Sequence, residues 1–223
     1  MLWRYFVTLM RGISRLLLLA CAMLLLTSCR IFVTPIISVS ELWNPEVRTV
    51  PVTLSASVPT CNKGMLDIIV QEFQTFQKLV PLGCFEENTS TLKPYWKTTI
   101  PLLRRGDEGK IPYLSASIYY SQNNSIIITF NPSFYAKLKQ HMVGRLSETS
   151  DIIVTFKIMN DSDKPVRIAT QGVFVNNDAV GNEMNIFEVN PGGTIWIRLS
   201  NVGVNSLLLD GIEPVGVLPA RER

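Results

Sequence analysis

The chain has 223 residues and a formal net charge of +3. The excess lies in the first 28 residues, where Arg4, Arg11 and Arg15 are the charged groups. After residue 28 there are 18 Lys and Arg against 18 Asp and Glu, so the rest of the chain is neutral overall. This balance argues against a nucleic-acid partner, and the remaining 195 residues suffice for one large domain or two small ones.

Residues 1–28 have the pattern of a secretory signal peptide. The three arginines precede an eleven-residue apolar run at 16–26. A membrane-spanning helix needs roughly 20 apolar residues, so this run is too short to span a bilayer comfortably. We therefore predict that residues 1–28 are removed during export.

The residues that end this segment resemble the lipobox of bacterial lipoproteins: Leu26, Thr27, Ser28 and Cys29. The resemblance implies that a dedicated signal peptidase recognises the first three and cleaves before Cys29. It also implies a diacylglyceryl group on the Cys29 thiol and an acyl chain on its amino group, so that the partner is membrane lipid. Several chains exceed the one-chain limit for stable anchoring. An ordinary signal peptide with an incidental Cys29 is the alternative.

The same resemblance predicts a location in the cell envelope, facing the periplasm. In the enterobacterial pattern, Asp directly after the lipidated cysteine favours the inner membrane, whereas this chain has Arg30. The outer membrane is therefore favoured, with the inner membrane as the alternative. The leader and the residues at 30–33 also resemble poorly characterised lipoproteins encoded in enterobacterial prophages.

Cys61 and Cys84 are the two cysteines left after removal of the leader and lipidation of Cys29. An exported protein encounters conditions that permit disulfides, so the sequence predicts a bond between them. A helix predicted at 64–80 would separate the two residues by more than a disulfide allows. The alternatives are a shorter helix, a loop that runs back along it, or unpaired cysteines.

Hydrophobic periodicity divides the rest of the chain into four segments. Residues 29–48 show no regular period and are predicted to form a lipidated tether. An α+β region at 49–146 and an all-β region at 150–212 follow, and a fraying tail occupies 213–223. Predicted strands lie at 50–58, 97–103, 114–120, 125–130, 152–159, 166–175, 186–189, 194–199 and 206–209, and predicted helices at 64–80 and 132–144.

The predicted fold class is therefore α+β. It combines a mixed α/β N-terminal half, which contains two amphipathic helices, with an antiparallel β-sandwich-like C-terminal half.

Residues that could carry chemistry are few. His141 is the only histidine, so sites with several histidine ligands are excluded, and a helix C-terminus explains its position. Asn160 to Asp163 lacks the spacing of an EF-hand and is predicted to be a hairpin turn. Asp107 and Glu108 stand among basic residues, as in a self-neutralising surface loop. The sequence predicts no catalytic residue, metal or cofactor apart from the lipid.

These observations favour a non-enzymatic binding or scaffolding module of the cell envelope, with an envelope protein as a partner. Two alternatives remain. The first is a prophage or conjugative lipoprotein that alters the host surface or serves a secretion assembly. The second is a hydrolase of envelope polymers, which would depend on His141.

Overall fold

The computed structural model describes residues 30–57, 79–88, 91–104, 107, 116–133 and 152–218. Most of these residues form strands that join into one curled sheet. The described strands are β1 Ile31–Ser38, β2 Thr49–Ala56, β3 Val80–Asn88, β4 Thr91–Leu103, β5 Ser117–Tyr120, β6 Ser125–Thr129, β7 Ile152–Met159, β8 Val166–Thr170, β9 Val173–Val175, β10 Asp178–Ala179, β11 Asn185–Val189, β12 Thr194–Leu199 and β13 Ile212–Val217. Two helices accompany them, α1 at Val39–Trp43 and α2 at Asn201–Asp210.

The strands follow the order β10-β9-β12-β7-β1-β2-β4-β5-β6-β13-β8-β11, and β3 adds to β4. The short link between β8 and β9 requires the sheet to curl. These strands are nine places apart, or roughly 43 Å in a flat sheet with 4.8 Å spacing. Thr170 and Val173 are joined by three Cα–Cα steps, which span at most about 11 Å. The two ends of the sheet therefore lie close to each other.

The curled sheet encloses one core of β-branched and leucine side chains. Ile37, Ile118, Ile126, Phe156 and Ile197 are fully buried and come from strands distributed along the whole sheet. Both the predicted α+β region and the predicted all-β region supply this core. Its members alternate along β6, β7 and β12 with more exposed residues, as expected for strands with one face inside.

The segment 29–48, predicted to be a tether, contains the central strand instead. β1 pairs with β7 in parallel through Ile31 and Ile152, and with β2 in antiparallel through Ile31 and Ala56. A central strand is partly covered on both faces, so its sequence lacks the alternation that marks a half-exposed strand. That coverage explains why the tether prediction was wrong for residues 31–38.

The predicted fold class is also wrong, because the described chain is mostly β and its halves share one sheet. The predicted helix at 64–80 lies outside the described residues except at its end, where Val80 begins β3. The helix at 132–144 likewise lies outside them, apart from a helical start at Pro132. Within the described part of the N-terminal half, the only helix whose two ends are both described is the five-residue α1.

The C-terminal half contains two further differences. Residues 206–209, predicted to be a strand, belong to α2, which starts after the N-cap Ser200 and ends at Gly211 in the left-handed conformation. The predicted fraying tail begins with β13, which pairs with β6 and β8. An apolar run inside a short helix carries no period that separates it from a strand, so capping residues were the better signal.

Several predicted strands are confirmed. β7 and β12 match the predicted 152–159 and 194–199, and β2 and β11 differ from prediction by one to two residues at their ends. β5 and β6 form the predicted hairpin. Asn124 takes a φ of 59° in its turn, as its side chain permits.

Candidate binding cleft

At the end of the molecule where β1 and β7 finish, a cleft of about 1190 Å³ opens between two polar loops. We call it the distal cleft. Its first wall is α1 with the loop that follows, and its second wall is the loop at 160–165 between β7 and β8. The lining residues are Ser40, Glu41, Trp43, Asn44, Pro45, Val47, Ser162, Asp163, Lys164, Pro165, Val166, Arg167 and Glu188.

The first wall begins with a short helix that is capped locally. The Glu41 carboxylate accepts a hydrogen bond from the Ser38 N–H at 3.1 Å, which is half of a capping box. Val39 and Leu42 point into the core and fix the helix on the sheet. Such a short helix cannot be stable alone, so packing and caps determine its position.

Arg104 holds the far end of this wall. Its guanidinium donates to three carbonyl oxygens at 2.6 to 2.8 Å, those of Val47, Glu41 and Asn44. Burial, and next the nearby Arg48, lower the pKa of Arg104, whereas Asp107 acts in the opposite direction. Arginine nevertheless remains protonated in proteins, so this is a charged clamp on carbonyls at the end of α1 and in the loop that follows.

The second wall is organised by Asn160, which is 1% exposed. Its amide donates at 2.8 Å to the carbonyl oxygens of Lys164 and Val189. Its side-chain oxygen accepts from the N–H and the hydroxyl of Ser162. Its backbone also exchanges hydrogen bonds with Gly192 and Gly193. Since β7 and β8 do not pair with each other, the loop is a crossover and not the predicted hairpin turn.

Asp161 joins the two walls. Its carboxylate accepts hydrogen bonds from the N–H of Ser40, at 2.9 Å, and from the Ser40 hydroxyl. Burial alone would raise the pKa of Asp161, but the bonds from Ser40 outweigh it and the pKa is lowered. The carboxylate is therefore ionised at neutral pH and keeps α1 fixed to the loop.

The distal cleft offers mixed chemistry suited to recognition. Trp43, Val47 and two prolines supply apolar surface. Arg167 and Glu188 approach to 3.5 Å, and both side chains are more than half exposed, so the pair contributes little to stability. Within the described residues no group of His, Cys, Asp and Glu is arranged to hold a metal ion.

A second cleft, of about 730 Å³, lies between β13, the start of α2 and the link from β8 to β9. Glu213 lines it together with apolar groups that include Phe174, Met184 and Val202. Burial raises the pKa of Glu213, the Ser206 hydroxyl opposes this, and Asp210 adds to it. Thr170, also in the lining, is buried and donates to the Val215 oxygen at 2.7 Å.

Most of the residues singled out from the sequence lie outside the described part of the chain: Leu26, Thr27, Ser28, Cys29, Cys61, Glu108 and His141. Cys84 lies on β3 and is bonded through a disulfide. Its pairing with Cys61 stays a prediction. Asp107 is described, and its side chain is buried and accepts from the Arg104 N–H at 3.1 Å, so it is not exposed as the predicted surface loop implies.

The residues that build the distal cleft were missed because their partners are distant in sequence. The predicted tether included Trp43, Asn44 and Pro45. Arg104 donates hydrogen bonds to carbonyl oxygens that lie 57 to 63 residues away in the sequence. The only local signal was the polar run from Asn160 to Asp163, which marks a loop. No residue pattern indicated that Asn160 itself would be buried.

No helix in the described ranges has the length and apolarity needed to cross a membrane. Neither the curated proteins nor the solved structures gave a significant match to the chain. One protein-family model does match, over residues 32–222, and its description is "Domain of unknown function (DUF7424)". Because this match covers most of the 223 residues, the chain belongs to the DUF7424 family.

Proposed function

We propose that the protein is a lipid-anchored, non-enzymatic binding module of the cell envelope that presents the distal cleft to a periplasmic protein partner. The observation that carries the proposal is the position of Cys29 relative to β1. A single residue, Arg30, separates the proposed lipidation site from the central strand of the sheet. The strand then leads directly into α1, which forms a wall of the cleft.

Under this proposal, the length of β1 sets the height of the cleft above the membrane. An eight-residue strand is roughly 26 Å long at 3.3 Å per residue. The anchor and the cleft lie at opposite ends of that strand. With no flexible tether between anchor and fold, the cleft would face away from the bilayer into the periplasm.

The lining of the cleft supports a protein as the partner. An aromatic ring, two prolines and two valines adjoin charged groups of both signs, as in the centre and rim of a protein interface. The hydrogen bonds of Arg104, Asn160 and Asp161 fix both walls, so little order has to be gained on binding.

In-cell photocrosslinking tests the proposal. A benzoylphenylalanine replaces Pro45 or Asp163, both exposed in the cleft lining, and in a matched control it replaces the exposed Asp178 of β10, which is not a lining residue. We expect one discrete adduct from both cleft positions, none from the control, and loss of the adduct in a Cys29→Ala background. Equal crosslinking from all three positions, or none, would contradict a partner at this cleft.

The residue after the proposed anchor also indicates which of the two membranes holds the protein. Since Arg30 and not Asp follows Cys29, we propose the outer membrane. Density-gradient separation of the two membranes tests this point, and an Arg30→Asp variant is expected to move toward the inner membrane.

A further inference from the structure

The outer side of α2 carries apolar side chains that nothing in the described residues covers. Val202 and Leu209 are 77% and 69% exposed, the highest values among the exposed large apolar side chains described. Ile212, which follows the helix, is 50% exposed. The opposite side of α2 is also apolar, because Val204, Leu207 and Leu208 are buried against the core.

The sequence of α2 is unusual for a helix with one face in water. Among its ten residues the only charged group is Asp210, at the last position. A helix at a water interface ordinarily places charged or polar groups on its outer face. Here two large apolar side chains, Val202 and Leu209, stand in the exposed face, although a single charge accompanies them. The other exposed positions of α2 are Asn201, Asn205 and Asp210.

α2 lies at the same end of the fold as the start of β1. β7 runs parallel to β1, and β12 runs antiparallel to β7, so β12 finishes where β1 begins. Asn201 follows β12 after one residue, Ser200. The end of β12 is two strands from β1, or roughly 10 Å. Cys29 is two Cα–Cα steps from Ile31, which is at most about 8 Å.

We infer that the outer face of α2, formed by Val202, Asn205 and Leu209 together with Ile212, rests in the headgroup region of the membrane that holds Cys29. This inference depends on the proposed anchoring. Acyl chains on Cys29 would hold this end of the molecule against the bilayer, since one residue leaves no length to lift it. Apolar side chains at that height gain by partial burial at the acyl boundary.

The charge of Arg30 agrees with this orientation. Arg30 is exposed and is hydrogen-bonded through its carbonyl oxygen to the Ser57 N–H at 2.9 Å, so its backbone is fixed to the end of β2. A basic side chain at the lipid surface is attracted by anionic headgroups. The structure thus combines a basic residue beside the anchor with an apolar helix face nearby.

Nitroxide accessibility in vesicles tests the inference. The full lipidated protein is reconstituted in phosphatidylethanolamine and phosphatidylglycerol vesicles, with Val202→Cys, Leu209→Cys or the control Thr194→Cys carrying the label. Thr194 is exposed at the other end of β12, seven residues or roughly 23 Å from the start of α2. Wild-type protein treated with the same reagent measures any label on native cysteines, and mass spectrometry confirms lipid on Cys29.

We expect labels at 202 and 209 to be relaxed more by oxygen, which is enriched in the bilayer, than by a water-soluble nickel complex, and the label at 194 to show the reverse. If 202 and 209 match 194 in protein with confirmed lipid, the inference about α2 is overturned while the anchor stands. Exclusion of both reagents at 202 and 209 would identify a protein interface and also overturn it. Absence of lipid on Cys29 would refute the proposed anchoring and this inference together.

Discussion

Replacement of Asn160 by alanine should be among the most damaging changes to the fold. The substitution removes four side-chain hydrogen bonds, to Lys164, Val189 and twice to Ser162. The Val189 carbonyl is buried, and leaving a buried acceptor unsatisfied costs about 1–3 kcal/mol. The other bonds are nearer to water, which replaces them in part, so each contributes about 0.5 kcal/mol. We expect a loss of about 2.5–4.5 kcal/mol in the free energy of unfolding.

Urea unfolding of a non-lipidated Cys29→Ser background measures this loss, with Asn190→Ala as the matched control. Asn190 is exposed in the adjoining loop and its side chain makes none of the hydrogen bonds described here, so its replacement should change stability by less than about 0.5 kcal/mol. The urea midpoint should fall while the slope stays constant. An Asn160→Ala loss below about 1 kcal/mol, or equal to the control, would refute the role assigned to Asn160.

Three further predictions concern the Arg104 guanidinium, the end of α2 and the Glu213 carboxyl group. Arg104→Lys should lower the free energy of unfolding by about 1–2 kcal/mol, because one ammonium cannot replace the planar fork on three carbonyls, and a change below about 0.5 kcal/mol in urea unfolding would contradict this. Gly211→Ala should cost about 2 kcal/mol, since φ is 82° and a Cβ would lie 2.7 Å from the Phe130 oxygen, whereas Gly181→Ala, with nothing within 4 Å, should leave the Tm nearly unchanged. Equal Tm values for the two would contradict the strain argument. Glu213 has a pKa above its ordinary 4.5. Between pH 4.5 and the raised pKa, the folded state therefore binds more protons than the unfolded state. Stability relative to Glu213→Gln should therefore fall as pH rises from 4.5 through the raised pKa, and parallel pH profiles would contradict the shift.

The sequence was sufficient to predict strands that have one face in the core and the other toward water. β7 and β12 alternate regularly, and their predicted ends coincide with the observed ones. The turn at Asn124 could also be predicted, because few residues tolerate a positive φ and asparagine is one of them. These are local properties, and they need no knowledge of partners.

Pairing between distant strands could not be predicted in the same way. The parallel contact between β1 and β7 joins Ile31 to Ile152, and no local pattern records it. The sequence did not predict β13, because the strand contains Pro214, which lacks an amide hydrogen and is unfavourable in most strands. The structure accommodates it beside a register shift between Pro214 and Gly216.

The candidate cleft depended still more on tertiary structure. The sequence predicted Asn160 to be an ordinary turn residue. It is buried and hydrogen-bonded because Val189 and Gly193 approach it in the folded chain. Arg104 is one of the basic residues beside Asp107 in the predicted surface loop, and only the return of the chain at 41–47 gives it three carbonyl acceptors at 2.6 to 2.8 Å. The sequence therefore indicated where the charged and polar loops lie, but not which distant groups their residues bond to.

The most direct test of the account is the chemical state of Cys29 in protein purified from membranes. We predict that the mature chain begins at Cys29 and that mass spectrometry of its N-terminal peptide finds diacylglyceryl and N-acyl groups. Cells grown with radioactive palmitate should label the wild-type protein and not a Cys29→Ala variant. Equal labelling of both, or a mature N-terminus elsewhere without lipid, would contradict the proposed anchoring and the orientation derived from it.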